Sequence, residues 1–263
     1  MLVIGKDDGS LERADKIENY FGLETLLSGN ELISTGKRQV LNLGGSLIRD
    51  EIFSIGFDKN FIITGRNKEY NSKSVILATG SFRKSPKFKG FEEFVGKGIS
   101  YCAVCDAFFY RNKNVAVLGS GDYAIHEIHH LLPIAKSVVL LTNGQKFSGK
   151  LLPNDLQVIT NPLKELIGEN NLQSVIFSDS SSIKIDGLFV ALGSASAIDL
   201  ASKIGAITEG NSIQVNDKME TSIPGLFAAG DCTGGVLQIS VAVGEGAKAG
   251  LSAINYIHSL KNI

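Results

Sequence analysis

The stretch "NVAVLGSGDYAIHEIHHLL" (114–132) restricts the possible folds more than any other part of the chain. It reads as an apolar strand, a glycine turn and a helix, and "KSVVLLTNG" (136–144) then reads as a second strand. Strand, helix and strand in that order predict a parallel sheet. The turn spells Gly119-x-Gly121-x-x-Ala124. After a strand and before a helix, that is where a dinucleotide fingerprint belongs. The glycines permit a tight turn, and the helix N-terminus can hold a pyrophosphate. Such a site also needs an acid about 20 residues on for a ribose, or an arginine for a 2′-phosphate. Here the second strand runs into "TNGQKF", with only Lys146 and Lys150 nearby. The turn is therefore either a nicotinamide site without its specificity residue or a vestigial Rossmann-like turn kept for packing.

The flanking sequence extends the α/β pattern. "MLVIG" reads as a short strand, 28–44 can hold a short helix, and 51–81 has the look of an antiparallel meander ending in the buried strand "SVILATG". The polar, basic stretch 83–98 is a candidate linker. Beyond the βαβ unit, "SIKIDGLFVALGS" (182–194) is a buried strand and "TSIPGLFAAGDCTGG" (221–235) is a strand ending at Gly230-Asp231. Residues 237–260 form a long amphipathic helix. The outline is two α/β units, the second inserted in the first, with boundaries near 83 and 193. A full dinucleotide-binding domain would open with a βαβ unit of roughly 30 residues carrying G-x-G-x-x-G. Here "MLVIG" corresponds to the second strand of such a unit, so the first βαβ unit is expected to be missing.

Composition narrows the functional classes. The 263 residues suffice for one large domain or two small ones, and 43% hydrophobic with 20% charged residues fits a soluble globular protein. A net charge of −1 gives no overall attraction to nucleic acid or membrane. No apolar run could span a bilayer, and the start lacks the basic region of a signal peptide. The expected location is cytoplasmic, where a structural disulfide is disfavoured.

Two of the three cysteines, Cys102 and Cys105, lie in "SYCAVCDAFFY" (100–110). In a reducing compartment such a pair is redox-active or half a metal site. Zinc would need two further ligands. Cys232 and the H-x-x-H of His126, His129 and His130 supply no second motif of the usual spacing, and the histidines read as a solvated helix face. Thiol–disulfide exchange needs one thiolate and a neighbour within bonding reach. A turn leading into a helix brings the sulfurs together and can lower the first thiol's pKa. Asp106 adds a titratable group suited to proton transfer. Tyr101, Phe108, Phe109 and Tyr110 read either as core packing or as a dry wall against a flat cofactor.

Taken in order, "KIENYFG" (16–22), "VILATGS" (75–81), "SYCAVCDAFFYR", "GSGDYA", "TSIPGLFAAGDC" and "QISVAVGEGAKAG" make the chain resemble the low-molecular-weight, bacterial-type thioredoxin reductases, which are flavoproteins. The resemblance runs from residue 1 to about 260. It implies two Rossmann-like three-layer domains: an FAD domain of 1–83 with 194–263, lacking its first βαβ unit, and an inserted disulfide domain of 84–193 that rotates on two hinges. It implies that Cys105 faces the flavin, Cys102 exchanges with the partner disulfide, and Asp106 shuttles protons. Asn19, Thr79, Gly80, Gly230, Asp231, Gln238, Ile239 and Ala242 would bind FAD. Thioredoxin is the implied partner, and a homodimer the implied assembly.

Relatives that use NADPH carry a basic H-R-R cluster where this chain has "TNGQKF". The resemblance is therefore to the pyridine-nucleotide-independent branch, in which a ferredoxin supplies electrons. Lys84, Lys87, Lys89 and Lys97 could dock an acidic ferredoxin, or form a scattered solvated face. The alternatives are an NADPH-dependent reductase and a module that binds no FAD and is not an enzyme.

Overall fold

The chain divides into two compact units, Met1–Phe82 with Ser196–Ile263, and Arg83–Ala195 inserted between them. The computed structural model describes residues 1–80 and 86–260. The boundary expected near 83, and Lys84, lie outside the described residues.

The first part of the outer unit runs β1 (Leu2–Gly5), α1 (Gly29–Asn42), β2 (Ser46–Arg49), β3 (Ile52–Phe57), β4 (Phe61–Gly65), β5 (Glu69–Ser72) and β6 (Val75–Leu77). The inserted unit holds α2 (Phe91–Phe94), β7 (Ile99–Ser100), α3 (Ala103–Asp106), β8 (Asn114–Leu118), α4 (Asp122–Leu131), β9 (Ser137–Leu141), β10 (Gln157–Ile159), β11 (Leu163–Gly168), β12 (Leu172–Phe177), β13 (Ser182–Lys184) and β14 (Gly187–Val190). The chain then returns through α5 (Ala197–Lys203), β15 (Thr208–Glu209), β16 (Ser212–Ile213), β17 (Leu226–Ala228) and α6 (Ile239–Ser259).

In the inserted unit, β10-β9-β8-β14-β7 form a wholly parallel sheet. Side chains alternate between its faces. Ala116, Leu118, Val139, Leu141, Leu188 and Val190 point into one core, closed by Leu166, Val175 and Phe177 of the antiparallel sheet β11-β12-β13. α4 covers the other face, burying Ala124, Ile128 and Leu131. The expected linker at 83–98 is in part structural. Phe91 and Phe94 of α2 are each 2% exposed and belong to the core, a pull that its charged neighbours mask in the sequence.

In the outer unit the expected meander is the antiparallel sheet β3-β4-β5. The parallel strands form two separate pairs, β1-β2 and β6-β17. α1 runs over 14 residues and is started by a capping box: the Glu31 N–H donates to Ser28 Oγ (3.3 Å) and the Ser28 N–H to Glu31 Oε2 (2.7 Å). α6 lies on β17, with Ala249 and Ala253 against Phe227.

A buried polar cluster ties the meander to the start of this unit. Asp50, 4% exposed, accepts the Tyr70 hydroxyl (2.7 Å), the Asn67 side-chain amide (3.0 Å) and the Glu51 N–H (2.9 Å). Burial, and then the Asp50 carboxylate, push the Tyr70 phenol up to about 12. The neutral phenol is thus the form that the fold favours. Its contribution is complete below the ordinary tyrosine range, near pH ~10, and is lost as pH rises toward about 12. Tyr70→Phe strips Asp50 of one donor, with an expected cost of about 1–3 kcal/mol in urea unfolding at neutral pH. A variant as stable as the wild type would remove Asp50–Tyr70 from the account of this unit.

Candidate active site

Cys102 and Cys105 are joined in a disulfide, with Cα atoms 5.3 Å apart. The turn carrying them is built from backbone donors. Ser100 ends β7 and is 5% exposed; its Oγ accepts the Cys102 N–H (3.0 Å) and donates to Asp106 Oδ2 (2.7 Å). Cys102 caps α3, its Sγ accepting the Cys105 N–H (3.1 Å). The Ala103 N–H donates to Glu127 Oε2 on α4 (2.7 Å). Asp106 is half-buried and its N–H donates to the Cys102 carbonyl (3.1 Å). The two residues are unlike: Cys102 is 7% exposed, whereas Cys105 is exposed.

The aromatics divide. Tyr101 packs edge-on to Phe91 and Tyr110 edge-on to Phe189, both into the core. Phe108 and Phe109 are exposed, as is Val104, so the segment that carries Cys105 also carries exposed apolar side chains. Among the described residues, no three His, Cys, Asp or Glu side chains gather as metal ligands. Of the three histidines of α4 only His129 is exposed. His126 and His130 are half-buried with ring nitrogens 3.4 Å apart, because the i, i+4 spacing stacks them on the shoulder of the helix.

The glycine turn lies at the C-terminal end of β8. A Cβ on Gly119 would fall 2.4 Å from the Ala191 carbonyl and 2.7 Å from Ala124 Cβ, so Gly119 and Ala124 serve close helix–strand packing. The next segment closes over the turn. The Ser148 N–H donates to the Ser120 carbonyl (2.7 Å), Ser120 Oγ to Gln145 Oε1 (2.9 Å), and the Lys150 N–H to Asp122 Oδ1 (2.6 Å). A Cβ on Gly121 would come within 3.5 Å of Ser148 Oγ. Asp122 also sets a carboxylate in the first turn of α4, where a pyrophosphate would need positive potential.

In the outer unit, the parallel register Leu77↔Ala228 brings Thr79-Gly80 and Gly230-Asp231 out at the same strand ends. Ligands of open α/β sheets bind at the carboxyl ends of strands. Gly230 has φ +79°, and its N–H donates to Glu245 Oε2 (2.7 Å); a Cβ there would touch Ala242 Cβ at 3.4 Å. Thr79 is exposed, and Gly80, at φ +76°, has open space beside it. Asn19 Nδ2 donates to Gln238 Oε1 (2.8 Å), a bond across 219 residues. Gln238 caps α6 without bonding its first-turn N–H groups, and Ile239 is half-buried behind it. The sequence-predicted residues thus gather as two sets, Asn19–Gln238–Ile239 and Thr79–Gly80–Gly230–Asp231–Ala242. Strand-end backbone and an α6 N-terminus with no side-chain cap suit the phosphate or polar ring edge of a dinucleotide. Cys232 stays out of the chemistry: it is fully buried, and burial pushes its thiol up to about 11.

Three residues of this arrangement escaped the sequence reading. Glu127 was legible as a charge on the apolar stripe of Ala124, Ile128 and Leu131. Ser100 and Glu245 carry no signal of their own, since the fold brings them their partners, the Cys102 N–H and Asp106 for Ser100 and the Gly230 N–H and Thr233 for Glu245.

A disulfide on a helix-capping turn beside a parallel α/β sheet defines an oxidoreductase of the disulfide-exchanging class. The sequence profile of the pyridine nucleotide-disulphide oxidoreductases matches residues 11–246, and the chain belongs to that family. It is similar to the thioredoxin reductase of Aquifex aeolicus, 33% identical over 100% of this chain and 87% of the relative. Among solved structures it is similar to an atypical thioredoxin reductase from Desulfovibrio vulgaris Hildenborough, with TM-score 0.92 and 38% identity over 98% of this chain and 90% of that one. It is also similar to a ferredoxin-flavin thioredoxin reductase from Clostridium acetobutylicum, with TM-score 0.69 and 31% identity over 100% of this chain and 90% of that one.

These environments order the three thiols. After reduction, limiting iodoacetamide at neutral pH should modify Cys105 first and Cys102 more slowly. Cys232 should react only in denaturant, because its raised thiol holds almost no thiolate there. Peptide mass mapping over time reads this order. Early labelling of Cys232 would contradict its burial.

Proposed function

We propose that this chain is a flavin-dependent thioredoxin-disulfide reductase fed by a ferredoxin-like protein rather than by NADPH. The observation that carries the choice of donor is the glycine turn, with the next segment bonded across it and a carboxylate at its helix start. Ser148 and Gln145 bond the Ser120 carbonyl and hydroxyl, the Lys150 N–H bonds Asp122, and the Asp122 carboxylate opposes an anion. Likeness to a ferredoxin-flavin thioredoxin reductase points the same way.

FAD would rest on the two sets at the strand ends and at the start of α6, with Asn19 and Gln238 presenting amide groups and Gly230 and Gly80 allowing close approach. Bound FAD would supply one-electron uptake and two-electron delivery. The residues of the inserted unit handle sulfur and protons. Cys105 is the accessible sulfur for electron entry. Opening the disulfide frees Cys102 to exchange with the thioredoxin disulfide, which requires local opening of the turn because Cys102 is 7% exposed. Asp106, which accepts a hydrogen bond from Ser100 in the same turn, would hold and pass the proton. Lys87 and Lys97 are exposed for an acidic donor, whereas Lys89 is engaged by Glu165 (2.6 Å) and Glu92 and Glu93 stand between them. Exposed Val243, Leu251 and Ile254 on α6 are surface that a second copy of the chain could cover.

The test is visible absorption of the purified chain supplied with FAD under anaerobic conditions. Chemically reduced ferredoxin is expected to bleach the flavin band and support thioredoxin reduction, and NADPH to do neither. Bleaching by NADPH would restore the pyridine-nucleotide enzyme. A chain that takes up no FAD would overturn the flavin reading. Cys102→Ser and Cys105→Ser should each abolish thioredoxin reduction while leaving ferredoxin-driven bleaching intact.

A further inference from the structure

Glu127 stands out among the buried groups. It is 1% exposed, on the apolar face of α4, and its carboxylate accepts the N–H of Ala103, itself fully buried between the two cysteines. Burying a carboxylate is costly, and a backbone N–H can be satisfied by a neutral acceptor. A carboxylate at this spot reaches the backbone between the two cysteines from a separate helix. By the bond lengths of the intervening atoms, Glu127 Oε2 is at most roughly 9 Å from Cys102 Sγ.

That distance matters in only one redox state. The disulfide is neutral. Reduction breaks the Cys102 Sγ–Cys105 Sγ bond, takes two electrons and one proton, and leaves one thiol and one thiolate. A fixed negative charge nearby disfavours the thiolate and leaves the disulfide untouched. We propose that Glu127 is a positioning residue that sets the reduction potential of the Cys102–Cys105 pair, holding the turn through Ala103 and making the dithiol the stronger reductant. The inference rests on the reading of the pair as redox-active. The other titratable groups on the two helices that meet here are Asp106 of α3 and Asp122, Tyr123, His126, His129 and His130 of α4. Glu127→Gln leaves all of them in place and keeps an oxygen for the Ala103 N–H.

The experiment equilibrates the full chain and E127Q with graded ratios of dithiothreitol to its cyclic disulfide, in mildly alkaline buffer without oxygen. Dithiothreitol supplies the two electrons and sheds two protons, one to the new thiol and one to buffer. Acid trapping and mass spectrometry read the dithiol fraction. E127Q is expected to shift the equilibrium roughly three- to tenfold toward the dithiol, for one charge at this range, tenfold being about 30 mV. An unchanged equilibrium in a folded E127Q, or a shift toward the disulfide, overturns the assignment of Glu127 alone. A wild-type pair that dithiothreitol never reduces overturns the redox reading as well. Should E127Q fail to fold, E127D keeps the charge and alters the bond. A wild-type equilibrium in E127D supports the charge, and a several-fold shift overturns it.

Discussion

The parallel pairing of β14 between β7 and β8 is the constraint on which the inserted unit depends. Its register, Phe189↔Ser100 on one side and Val190↔Leu118 on the other, holds β7 and β8, both far from β14 in sequence, at a common C-terminal edge. β7 there releases the chain into the cysteine turn and β8 releases it into the glycine turn. The helices that follow, α3 and α4, pack together as a result, and this contact lets Glu127 reach Ala103. Gly187 is part of the same constraint, since a Cβ there would lie 2.3 Å from the Tyr110 ring. One sheet register thus sets the cysteine turn, its buried carboxylate and its aromatic flank.

The same edge explains the fate of the glycine turn. Tight turn, small residues and helix start are all needed to pack α4 on the sheet, so they persist whether or not a nucleotide binds. The segment after the second strand lies across the turn: Ser148 and Gln145 bond the Ser120 carbonyl and hydroxyl, and the Lys150 N–H bonds Asp122. Asp122 at the helix start adds the wrong charge for a pyrophosphate. The missing specificity residue after the second strand and the segment bonded across the turn both lie in the stretch 142–150, and both bear on the proposed choice of donor.

Much of this was legible in the sequence where the signal is local. The βαβ unit, the antiparallel meander, the cysteine turn and the long last helix all announce themselves by periodicity and turn residues. The antiparallel sheet β11-β12-β13 did not. Leu163, Leu166, Leu172, Val175 and Phe177 are spaced irregularly because bulges shift the register near Leu163–Glu165 and Ile167–Gly168. Phe91 and Phe94 were hidden by lysines and glutamates on a one-turn helix too short to show a period. The bond between Asn19 and Gln238 lies beyond any sequence pattern, since 219 residues separate its ends.

The exposed apolar residues of the cysteine segment supply the last step. Val104, Phe108 and Phe109 are 50%, 69% and 71% exposed, in the same segment as the exposed Cys105. Their neighbours Ala103 and Ala107 are buried, so the helical turn keeps its small residues inside and presents its large ones outward. Left in water, such surface forfeits about 25 cal/mol per Å², and a stable fold has no reason to arrange it so. Arg111 lies over the Phe108 ring, 4.9 Å from its centroid, and covers only part of it. A thiol-exchange reaction does have a reason, because it needs water kept from the reacting sulfurs while a partner surface is in place. The buried side of the turn is held by backbone bonds and the Glu127 carboxylate, while its exposed side carries the large apolar residues.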